Sequence, residues 1–315
     1  MKALIIGGAG FVGSYLIEHL QSELNCKIYV TKMPQNNFVR ENIEVFDLDI
    51  MIKDDIIKIL KYVRPDYIFH LAAQSSVFLS WKNPALTVDI NIKGSVNLLD
   101  AIRELDYKPR ILFVGSGEEY GFVNENETPI SENNATRPGN IYAATKLAQN
   151  HIGRIYASAY DMDIIMVRAF NHIGPNQLPA FVVADFCKQV AEIEKGYTEP
   201  VIRVGNLSAK RDFTDVRDVV RAYALLMQKG KSGETYNVGS GKAISIEEIL
   251  KIIISMSHVD IKIEIDKNKF RPVDVPIIEA DIRKLTKITG WKKNIEIKET
   301  IADTLNYWRA NCQEK

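Results

Sequence analysis

The sequence predicts an α/β fold built on a doubly wound parallel sheet, and three observations support this. Short apolar runs, typical of buried parallel strands, recur from the N-terminus onward. Segments with the apolar spacing of amphipathic helices separate these runs. A glycine-rich turn directly follows the first run, beginning at Gly7. Strands and helices that alternate in this way form sheets whose ligands bind at the carboxyl ends of the strands.

The glycine-rich turn indicates a dinucleotide site. Its glycines form a Gly-x-x-Gly-x-x-Gly motif between the first strand and a helix that begins inside the motif. Glycines let the backbone approach a pyrophosphate, and the N-terminus of a helix favours its negative charge. A turn without a ligand is the alternative, but the order of strand, motif and helix favours a Rossmann domain that binds NAD(P). The cofactor-binding candidates here are Gly7, Gly10, Phe11, Val12 and Gly13.

The next two strands end in residues that bear on cofactor choice. The second strand leads into Thr31 and Lys32, at a point where a carboxylate usually binds the ribose hydroxyls of adenosine. A cation there favours the 2′-phosphate of NADP, so we expect NADPH, with NADH as the alternative if Lys32 is only a solvated charge. After the third strand, Asp49 and Ile50 are expected at the adenine ring; a solvated loop acid is the alternative for Asp49.

The fourth strand runs into small residues that let a cofactor pass close to the backbone. Leu71, Ala72 and Ala73 are therefore further cofactor candidates. Ser76 lies in the loop that follows, at the ligand edge of such a sheet, and is a substrate candidate. A long helix predicted over residues 84–105 carries Asn91, which we expect either at the surface or bridging to the catalytic lysine.

A serine, a tyrosine and a lysine form the predicted chemical centre. Ser116 follows the fifth strand, and Tyr142 and Lys146 lie four residues apart on a helix predicted over residues 141–160. Residues at i and i+4 share one helix face, so the phenol and the ammonium can face one site. A nearby cation lowers the pKa of a tyrosine, which would make Tyr142 a proton donor and acceptor near neutral pH. Ser116 would then hold the oxygen that is reduced or oxidised.

Two adjacent acids, Glu118 and Glu119, follow the serine. Carboxylates beside a catalytic hydroxyl can act as a general base. They can equally belong to a solvated turn, and the sequence pattern leaves both interpretations open.

The pattern changes after the sixth strand, which indicates where substrate recognition begins. Asn171 and His172 open a polar, turn-forming segment at the carboxyl end of that strand. We predict an NAD(P)-binding Rossmann domain over residues 1–169, to which residues 210–237 return, and a substrate-binding region over residues 170–315. Because no linker or repeat is present, the substrate part is expected to be a smaller C-terminal domain interleaved with the sheet.

Composition excludes several other classes of function. The chain has 40 basic and 40 acidic residues, so its charge makes no electrostatic case for binding nucleic acid or an acidic membrane. No apolar run approaches the ~18 residues of a membrane span, and the first run is too short for a signal peptide. We therefore expect a cytoplasmic protein without a membrane partner. Its three cysteines are expected as free thiols, and its five histidines show no ligand spacing, so no metal is expected.

Taken together, the motifs resemble those of extended short-chain dehydrogenases/reductases that act on nucleotide sugars. The resemblance runs along the whole chain. It implies that the serine, tyrosine and lysine are the catalytic group, with Tyr142 and Lys146 also binding the cofactor, the lysine at the nicotinamide ribose. It also implies that Asn171 and two arginines contact the diphosphate of a sugar nucleotide. The motifs that carry it are the glycine turn, Leu71–Ala73, Ser116 before Tyr120-Gly121, Tyr142-x-x-x-Lys146, Arg211-Asp212 and Arg271-x-x-Asp274. The substrate candidates are Ser76, Glu118, Asn171, His172, Arg211, Arg271 and Asp274, with a satisfied loop histidine as the alternative for His172.

Within this family the chain is most similar to enzymes of the GDP-mannose pathway. Residues 71–76 and 204–215 are similar to both the dehydratases and the reductases of that pathway. Residues 170–177, residues 271–276 and the length of 315 residues favour the reductases. The resemblance therefore implies NAD(P)H-dependent reduction of the 4-keto group of GDP-4-dehydro-6-deoxy-D-mannose to GDP-D-rhamnose.

Glu118 keeps a second activity open. In the related 4,6-dehydratases, a glutamate two residues before the Tyr-Gly pair acts as the base at C5 of the sugar, whereas Ser116 stands where those enzymes tend to have threonine. A GDP-mannose 4,6-dehydratase, or another nucleotide-sugar epimerase or dehydratase, is the alternative. A regulator that binds the cofactor without chemistry is disfavoured because the serine, tyrosine and lysine are all present.

The resemblance also implies the partners. A GDP-sugar is the expected substrate. The helices that begin at Pro84 and Ile141 often pair across a dimer in this superfamily, so we expect a homodimer. The tryptophans Trp81, Trp291 and Trp308 are expected in the core or at an interface.

Overall fold

Strands and helices alternate along the first half of the chain, as the sequence predicts. The computed structural model describes residues 1–269 and 275–313. Its strands are β1 (Lys2–Ile6), β2 (Lys27–Lys32), β3 (Glu44–Asp47), β4 (Tyr67–His70), β5 (Arg110–Ser116), β6 (Ile164–Ala169), β7 (Asn171–Ile173), β8 (Val201–Val204), β9 (Lys210–Asp215), β10 (Thr235–Val238), β11 (Ala243–Ser245), β12 (Lys262–Ile265) and β13 (Ile277–Ile278). Its helices are α1 (Phe11–Leu24), α2 (Lys53–Val63), α3 (Val77–Lys82), α4 (Pro84–Val88), α5 (Gly94–Arg103), α6 (Ile141–Tyr160), α7 (Val182–Glu194), α8 (Val216–Lys229), α9 (Ile246–Ser255), α10 (Arg283–Thr289) and α11 (Ile297–Asn311).

Seven parallel strands form the large sheet, in the order β10-β6-β5-β4-β1-β2-β3. The chain begins in the middle of the sheet, where β1 pairs with β2 on one side and β4 on the other. Their register sets Ile6 beside His70, and Ser116 at the end of β5 beside Ala169 at the end of β6. The order reverses between β1 and β4, which creates the crevice where such sheets bind ligands. This topology confirms the predicted doubly wound fold.

Both faces of the large sheet are buried at its central strands, which explains why most of their residues are apolar. In β1, Ala3 and Ile5 pack into one core with α1 and α8, whereas Leu4 and Ile6 pack into another with α2 and α5. Alternate residues of a strand point to opposite faces, so a strand covered on both sides needs apolar residues at every position. Trp291 is fully buried in the first of these cores.

A smaller lobe is built from the second half of the chain. In it β9 pairs with β7, β11 and β13, and β8 pairs with β12. The helices α7, α9 and α11 share a third apolar core with these strands. Between segments of this lobe the chain returns to the large sheet, because α8 packs on its face and β10 is its edge strand. The domain limits at residues 169 and 170, and the return over residues 210–237, stay a prediction.

Three regions differ from what the sequence pattern predicts. Strand β4 ends at His70, three residues earlier than expected. The Leu71 N–H still donates to the Ile6 carbonyl of β1, but further on the backbone of Gln74 is held by the Asn91 side chain. Residues 77–82, for which the sequence pattern predicts no helix, form α3, which Ser76 caps by accepting a hydrogen bond from a backbone N–H. Residues 210–215 lead into a helix with Asp215 at its cap, as expected, but they also form β9, because they pair with strands distant in sequence.

The long helix predicted over residues 84–105 contains a π-helical turn, Asp89–Lys93, between α4 and α5. A π-helical turn widens the backbone ladder by one residue and recurs at functional sites. Here it carries Asn91, which is buried. Beyond it, Leu98 and Leu99 of α5 are buried in the core of the large sheet. Within residues 1–269 and 275–313, no helix combines the length and apolar composition needed to cross a bilayer.

Candidate active site

The glycine turn is shaped by close approaches of the backbone. Gly7 has a φ of +79°, and a Cβ atom on it would lie 2.7 Å from the Cα of Ala72 in the loop after β4. A Cβ on Gly13 would lie 2.2 Å from the carbonyl oxygen of Gly8, so α1 packs directly on the turn. Gly10 precedes α1 without a side-chain cap, and a Cβ on it would contact only the turn itself, at 3.5 Å. The first N–H groups of α1 are therefore available to a phosphate, which is what a dinucleotide requires.

Thr31 and Lys32 have different surroundings at the end of β2. The Thr31 hydroxyl is buried and accepts a hydrogen bond from the Gly7 N–H at 3.1 Å, so this residue ties the glycine turn to the sheet. The Lys32 ammonium pairs with the Asp47 carboxylate on the adjacent strand. A 2′-phosphate at Lys32 would therefore compete with Asp47.

A second cation near the glycine turn, Arg40, is not singled out by the sequence pattern. Its guanidinium donates to the Ser14 carbonyl at 3.3 Å and pairs with Glu18 at 3.1 Å, both on α1. It lies in the loop between β2 and β3, where the chain passes over the start of α1. Arg40 and Lys32 are thus two cations on the adenosine side of the turn.

The residues expected at adenine are partly used by the fold. One carboxylate oxygen of Asp49 accepts a hydrogen bond from the Met51 N–H at 2.9 Å and closes a turn after β3. The Ile50 side chain is buried, and a Cβ atom on Gly94 would lie 2.8 Å from it. Leu71, Ala72 and Ala73 are half-buried in the loop after β4. Their contacts with adenine and with the rest of the cofactor stay a prediction.

Asn91 holds this loop against α6. It accepts a hydrogen bond from the Gln74 N–H at 2.8 Å and donates to the Gln74 carbonyl at 3.1 Å. Its amide also donates to the Thr145 hydroxyl at 2.9 Å. The sequence leaves two positions open for Asn91, at the surface or bridging to Lys146. The structure shows neither, because the side chain is buried and bonded to Thr145, the neighbour of that lysine. The sequence signal for this role of Asn91 is a polar residue in the middle of a predicted helix.

The structure brings the predicted serine, tyrosine and lysine together at the carboxyl end of β5. Ser116 is the last residue of that strand, and its side chain hydrogen-bonds the Tyr142 phenol. Lys146 is buried, and its ammonium donates to the Val114 carbonyl of β5 at 2.7 Å and to the Gln149 side chain at 3.1 Å. The helix that carries the tyrosine and lysine begins and ends where the sequence predicts it.

The acidic phenol expected from the sequence is not found. Burial raises the pKa of Tyr142, and the charges of Glu118 and Glu119 raise it further, while the bond to Ser116 opposes them. The Lys146 ammonium is directed to β5 instead, and burial lowers its own pKa to about 8. The prediction that this lysine lowers the pKa of the tyrosine is therefore wrong.

The two acids after Ser116 point to different places. They lie in a 3-10 turn, Gly117–Tyr120, in which the serine hydroxyl accepts a hydrogen bond from the Glu118 N–H at 3.1 Å. The Glu118 carboxylate accepts from the Asn140 side chain at 3.2 Å and lines a pocket. The Glu119 carboxylate is fully buried and accepts from the Ser116 N–H at 2.9 Å. The interpretation of this turn as solvated is therefore wrong for Glu119.

A buried polar network lies beneath the turn. Arg168 pairs with Glu119 at 2.8 Å and donates to the Tyr120 hydroxyl at 3.0 Å. That hydroxyl donates to Asn237 at 2.7 Å, so the network joins β5, β6 and β10. Burial raises the pKa of Glu119 to about 7 against the opposing charge of Arg168. The sequence signals for this network are Arg168, the one charged residue of the apolar strand β6, and Asn237 in the buried strand β10.

A pocket of about 400 Å³ opens beside Glu118. Asn171 and Arg211 also line it, as predicted for substrate contacts, and Arg211 donates to the Val275 carbonyl at 2.7 Å. Two other substrate candidates are placed elsewhere among the described residues. Ser76 caps α3, and His172 donates a hydrogen bond from Nδ1 to the Phe170 carbonyl at 3.0 Å and stacks on Phe11. Arg271 and Asp274 lie outside the described residues.

Comparison with known proteins places this site in a family. Residues 4–304 match the family model described as GDP-mannose 4,6 dehydratase. The GDP-6-deoxy-D-mannose reductase of Pseudomonas aeruginosa is 34% identical over 251 residues, which cover 80% of this chain and 83% of that protein.

Two solved structures extend the likeness to the whole fold. RMD from Pseudomonas aeruginosa complexed with NADPH has a TM-score of 0.88 and 30% identity, covering 99% of this chain and 100% of that one. The UDP-glucose 4-epimerase of Thermus thermophilus, complexed with NAD, has a TM-score of 0.89 and 28% identity with the same coverage. An NAD(P) cofactor fits this family, and the glycine turn of this chain fits such a cofactor. The chain belongs to the GDP-mannose 4,6-dehydratase family of extended short-chain dehydrogenases/reductases, enzymes that act on nucleotide sugars.

Proposed function

We propose that this protein reduces the 4-keto group of GDP-4-dehydro-6-deoxy-D-mannose to form GDP-D-rhamnose with NAD(P)H. One observation carries the proposal: Ser116, Tyr142 and Lys146 converge at the end of β5, next to a pocket that also holds Arg211. A hydroxyl, a phenol and an ammonium in this arrangement suit proton transfer to a carbonyl oxygen. The similarity to the reductase of Pseudomonas aeruginosa supports the choice of sugar.

The cofactor is proposed to bind along the glycine turn, with NADPH preferred and NADH as the alternative. The close approaches at Gly7 and Gly13 and the uncapped start of α1 fit a pyrophosphate there. Lys32 and Arg40 are the cations that would meet a 2′-phosphate, each in competition with a carboxylate that it already pairs with. The remaining proposed contacts are Phe11, Val12, Thr31, Asp49, Ile50, Leu71, Ala72 and Ala73.

The raised pKa of Tyr142 suits reduction rather than oxidation. When bound, the reduced cofactor supplies a hydride to C4 of the sugar. The phenol is fully protonated at neutral pH because burial raises its pKa, so it can donate a proton to the forming alkoxide. Ser116 donates a hydrogen bond to the same oxygen, and donors directed at developing charge supply much of the rate in such sites. The Lys146 ammonium is directed to the Val114 carbonyl of β5 rather than to the phenol, and its proposed role is to hold the nicotinamide ribose.

The diphosphate of the substrate is proposed to lie against Arg211 and Asn171. Both line the pocket, and a guanidinium binds phosphate oxygens through paired N–H groups. Arg271 and Asp274, which the resemblance also implies, would complete this part of the site. His172 is proposed to support Phe11 at the cofactor rather than to contact the sugar, because its ring stacks on that residue.

The turn after β5 favours reduction over dehydration. Loss of water from a keto sugar needs a base for the ring proton and an acid for the departing hydroxide. Glu118 could act as the base, since its carboxylate lines the pocket. Gly117 brings no side chain, and the Glu119 carboxylate is turned into the core. The turn therefore offers a single carboxylate to the pocket, which would have to serve as both base and acid, and the dehydratase stays the second candidate.

Two substrates distinguish the candidates. The protein is mixed with GDP-mannose and, separately, with GDP-4-dehydro-6-deoxy-D-mannose and NADPH. Consumption of NADPH by the keto sugar is expected. Elimination of water from GDP-mannose would instead identify a dehydratase, and no turnover of either would identify a protein that only binds.

The variant Tyr142→Phe tests the assigned proton donor. Turnover is expected to fall by roughly a hundredfold or more, the scale of losing a general acid, while cofactor binding measured by NADPH fluorescence stays unchanged. A variant with near-normal turnover would remove this tyrosine from the mechanism.

A homodimer is proposed to form through the surface around α3 and α4. Phe78 and Trp81 are 68% and 56% exposed there, and Leu86 and Val88 are exposed beside them. Contiguous apolar side chains of this kind mark an interaction surface, and the resemblance implies that a second copy covers it. Light scattering is expected to give twice the mass of the chain, and Trp81→Glu to give the monomer. Trp291, by contrast, belongs to the core.

A further inference from the structure

Two neutral oxygen atoms hold the Lys146 ammonium in the part of the chain that the structure describes. It donates to the Val114 carbonyl of β5 at 2.7 Å and to the Gln149 Oε1 at 3.1 Å. An ammonium has three N–H groups in a tetrahedral arrangement, so two fixed bonds also set the direction of the third. Gln149 therefore helps to determine where the third N–H of this lysine points.

The helix itself places Gln149 beside the lysine. It follows Lys146 by three residues on α6, and residues at i and i+3 lie on one helix face. The residue is only 2% exposed, and the ammonium connects it to β5. Because the amide is shielded from solvent, water does not compete for its bond to the ammonium.

The Gln149 amide also carries a cost for the fold. Its Nε2 is buried and has no hydrogen-bond partner among the described residues. Buried donors without a partner are few in native proteins, because each has lost its bonds to water. A side chain that only filled this space would do so without that cost if it were apolar. What the amide supplies is the Oε1 that accepts a hydrogen bond from Lys146, and this bond points to a function.

We propose that Gln149 is a positioning residue that directs the third N–H of Lys146 at the nicotinamide ribose of the cofactor. The inference rests on the proposed function, in which Lys146 holds that ribose. Gln149 touches neither the cofactor nor the sugar in this arrangement and acts through the lysine. Val114 contributes a backbone carbonyl, which every residue type has, so Gln149 is the side chain that a substitution can test.

The charge of the Gln149 side chain gives a second prediction. Burial lowers the pKa of Lys146 to about 8, and the charge of Glu119 opposes this effect. An amide orients the ammonium without adding a charge, so the lysine keeps this lowered pKa. A carboxylate at position 149 would favour the charged lysine and raise its pKa.

Three other titratable groups lie around Lys146. Glu119 is ionised above about pH 7, the value to which burial raises its pKa. His70 of β4 stays neutral, because burial lowers its pKa to about 3 and the charge of Lys146 lowers it further. Tyr142 on the same helix stays protonated, because burial raises its pKa. Above about pH 8, Lys146 is therefore the group of this set whose charge changes.

The test is the affinity for NADPH, measured by its fluorescence as the pH is raised from neutral to alkaline, without turnover. Wild-type affinity is expected to fall as the pH rises through about 8. Gln149→Met keeps the length of the side chain but loses the acceptor. It is expected to weaken NADPH binding at neutral pH by roughly threefold to tenfold, the scale of one hydrogen bond. The fall should also move to lower pH, since a buried ammonium with fewer partners loses its proton more readily.

Gln149→Glu is the conservative variant, because it keeps the acceptor and adds a charge. Its affinity at neutral pH is expected to stay within about threefold of wild type, and its fall should move to higher pH. Asn150→Leu is the matched control. Asn150 is another buried amide of α6, but it accepts from the Thr235 hydroxyl at 3.1 Å. This control is expected to change neither the affinity nor its pH dependence.

Turnover of the keto sugar provides a further readout. At saturating NADPH, the kcat of Gln149→Met is expected to stay within about twofold of wild type, because Tyr142 still donates the proton. The KM for NADPH should rise together with its dissociation constant. A residue that only packed the helix would not separate these two parameters.

The outcomes distinguish this inference from the proposed function. It is overturned if Gln149→Met binds NADPH like the wild type at every pH, or if Asn150→Leu has the same effect as Gln149→Met. If Gln149→Met fails to fold, Gln149→Glu decides alone, since an upward shift supports the inference and an unchanged pH dependence overturns it. A wild-type protein that binds NADPH but does not reduce the keto sugar would contradict the proposed function only.

Discussion

The turn after β5 has one glutamate on the side that faces the pocket and another on the side that faces the core. On the pocket side, Glu118 is half-buried and bonded to Asn140. On the core side, Glu119 is fully buried, caps its own turn and pairs with Arg168. Successive residues of a 3-10 turn point about 120° apart, which sends neighbouring side chains to different environments. Adjacent carboxylates in sequence can therefore divide into one that meets substrate and one that holds the scaffold.

The core side is expected to show the largest effect. Glu119→Leu is expected to lower the free energy of unfolding by about 3–5 kcal/mol, because it leaves the buried guanidinium of Arg168 without a counter-charge. Denaturant unfolding measures this loss. Combining it with Arg168→Met is expected to recover most of the stability, since apolar pairs of similar volume often replace a buried ion pair without cost. A single variant as stable as the wild type would show that Glu119 is not part of the scaffold.

The pH dependence of stability sharpens the same contrast. Burial raises the pKa of Glu119 from its ordinary 4.5 to about 7 in the folded protein. Between these values the folded state binds more protons than the unfolded state, so stability falls as pH rises. The part of the stability that is linked to protonation of Glu119 is therefore complete below about pH 4.5 and is lost as pH rises through about 7.

The matched variant for this effect is Glu119→Gln, which cannot titrate. The unfolding free energy of the wild type minus that of the variant is expected to shrink as the pH is raised from about 5 to about 8. A difference that grows with pH would mean that pairing with Arg168 outweighs the burial of the carboxylate. The other charged or titratable groups acting on Glu119, Lys146 and Tyr142, are the same in both proteins.

Asn140 connects the pocket side of the turn to α6, and its loss is expected to have a smaller effect. Its side chain accepts a hydrogen bond from the Ala143 N–H at 2.8 Å and caps the helix. Asn140→Ala is expected to cost about 1 kcal/mol of unfolding free energy, the usual value of an N-cap. Asn140→Asp keeps the cap but places a second carboxylate next to that of Glu118. Its stability is expected to stay near that of the wild type, with any change appearing in substrate binding.

Glu118→Gln is expected to have the smallest effect. The free energy of unfolding should change by less than about 0.5 kcal/mol, as for a substitution outside the core. Turnover of the keto sugar should stay within about twofold, because no proton passes through this carboxylate in the proposed reduction. A hundredfold loss of turnover would give Glu118 a catalytic role and move the protein towards the dehydratase alternative.

The sequence predicts the cofactor half of the molecule well because its determinants are local. The glycine spacing, the strand before it and the helix after it lie within about two dozen residues, and the structure has them in that order. The four-residue spacing of Tyr142 and Lys146 sets both on one helix, whose limits were also predictable. The fold class and the family follow from these same motifs.

The charged groups around the site were not predictable because their partners are distant in sequence. Glu119 meets Arg168 at a separation of 49 residues, and Asp185 meets Lys269 at a separation of 84. The same limit explains the wrong pKa prediction. Spacing on the helix suggests that Lys146 acts on Tyr142, but the Val114 carbonyl on another element draws the ammonium away.

The π-helical turn Asp89–Lys93 makes its helix unusually sensitive to the deletion of a single residue. One residue advances an α-helix by about 100°, so shortening this turn would rotate the two ends of the helix against each other by that angle. Either Asn91 would lose the loop after β4, or Leu98 and Leu99 would leave the core. The extra residue thus sets the rotation between the two ends of the helix. One end can then face the polar edge of the cleft while the other packs into the apolar interior.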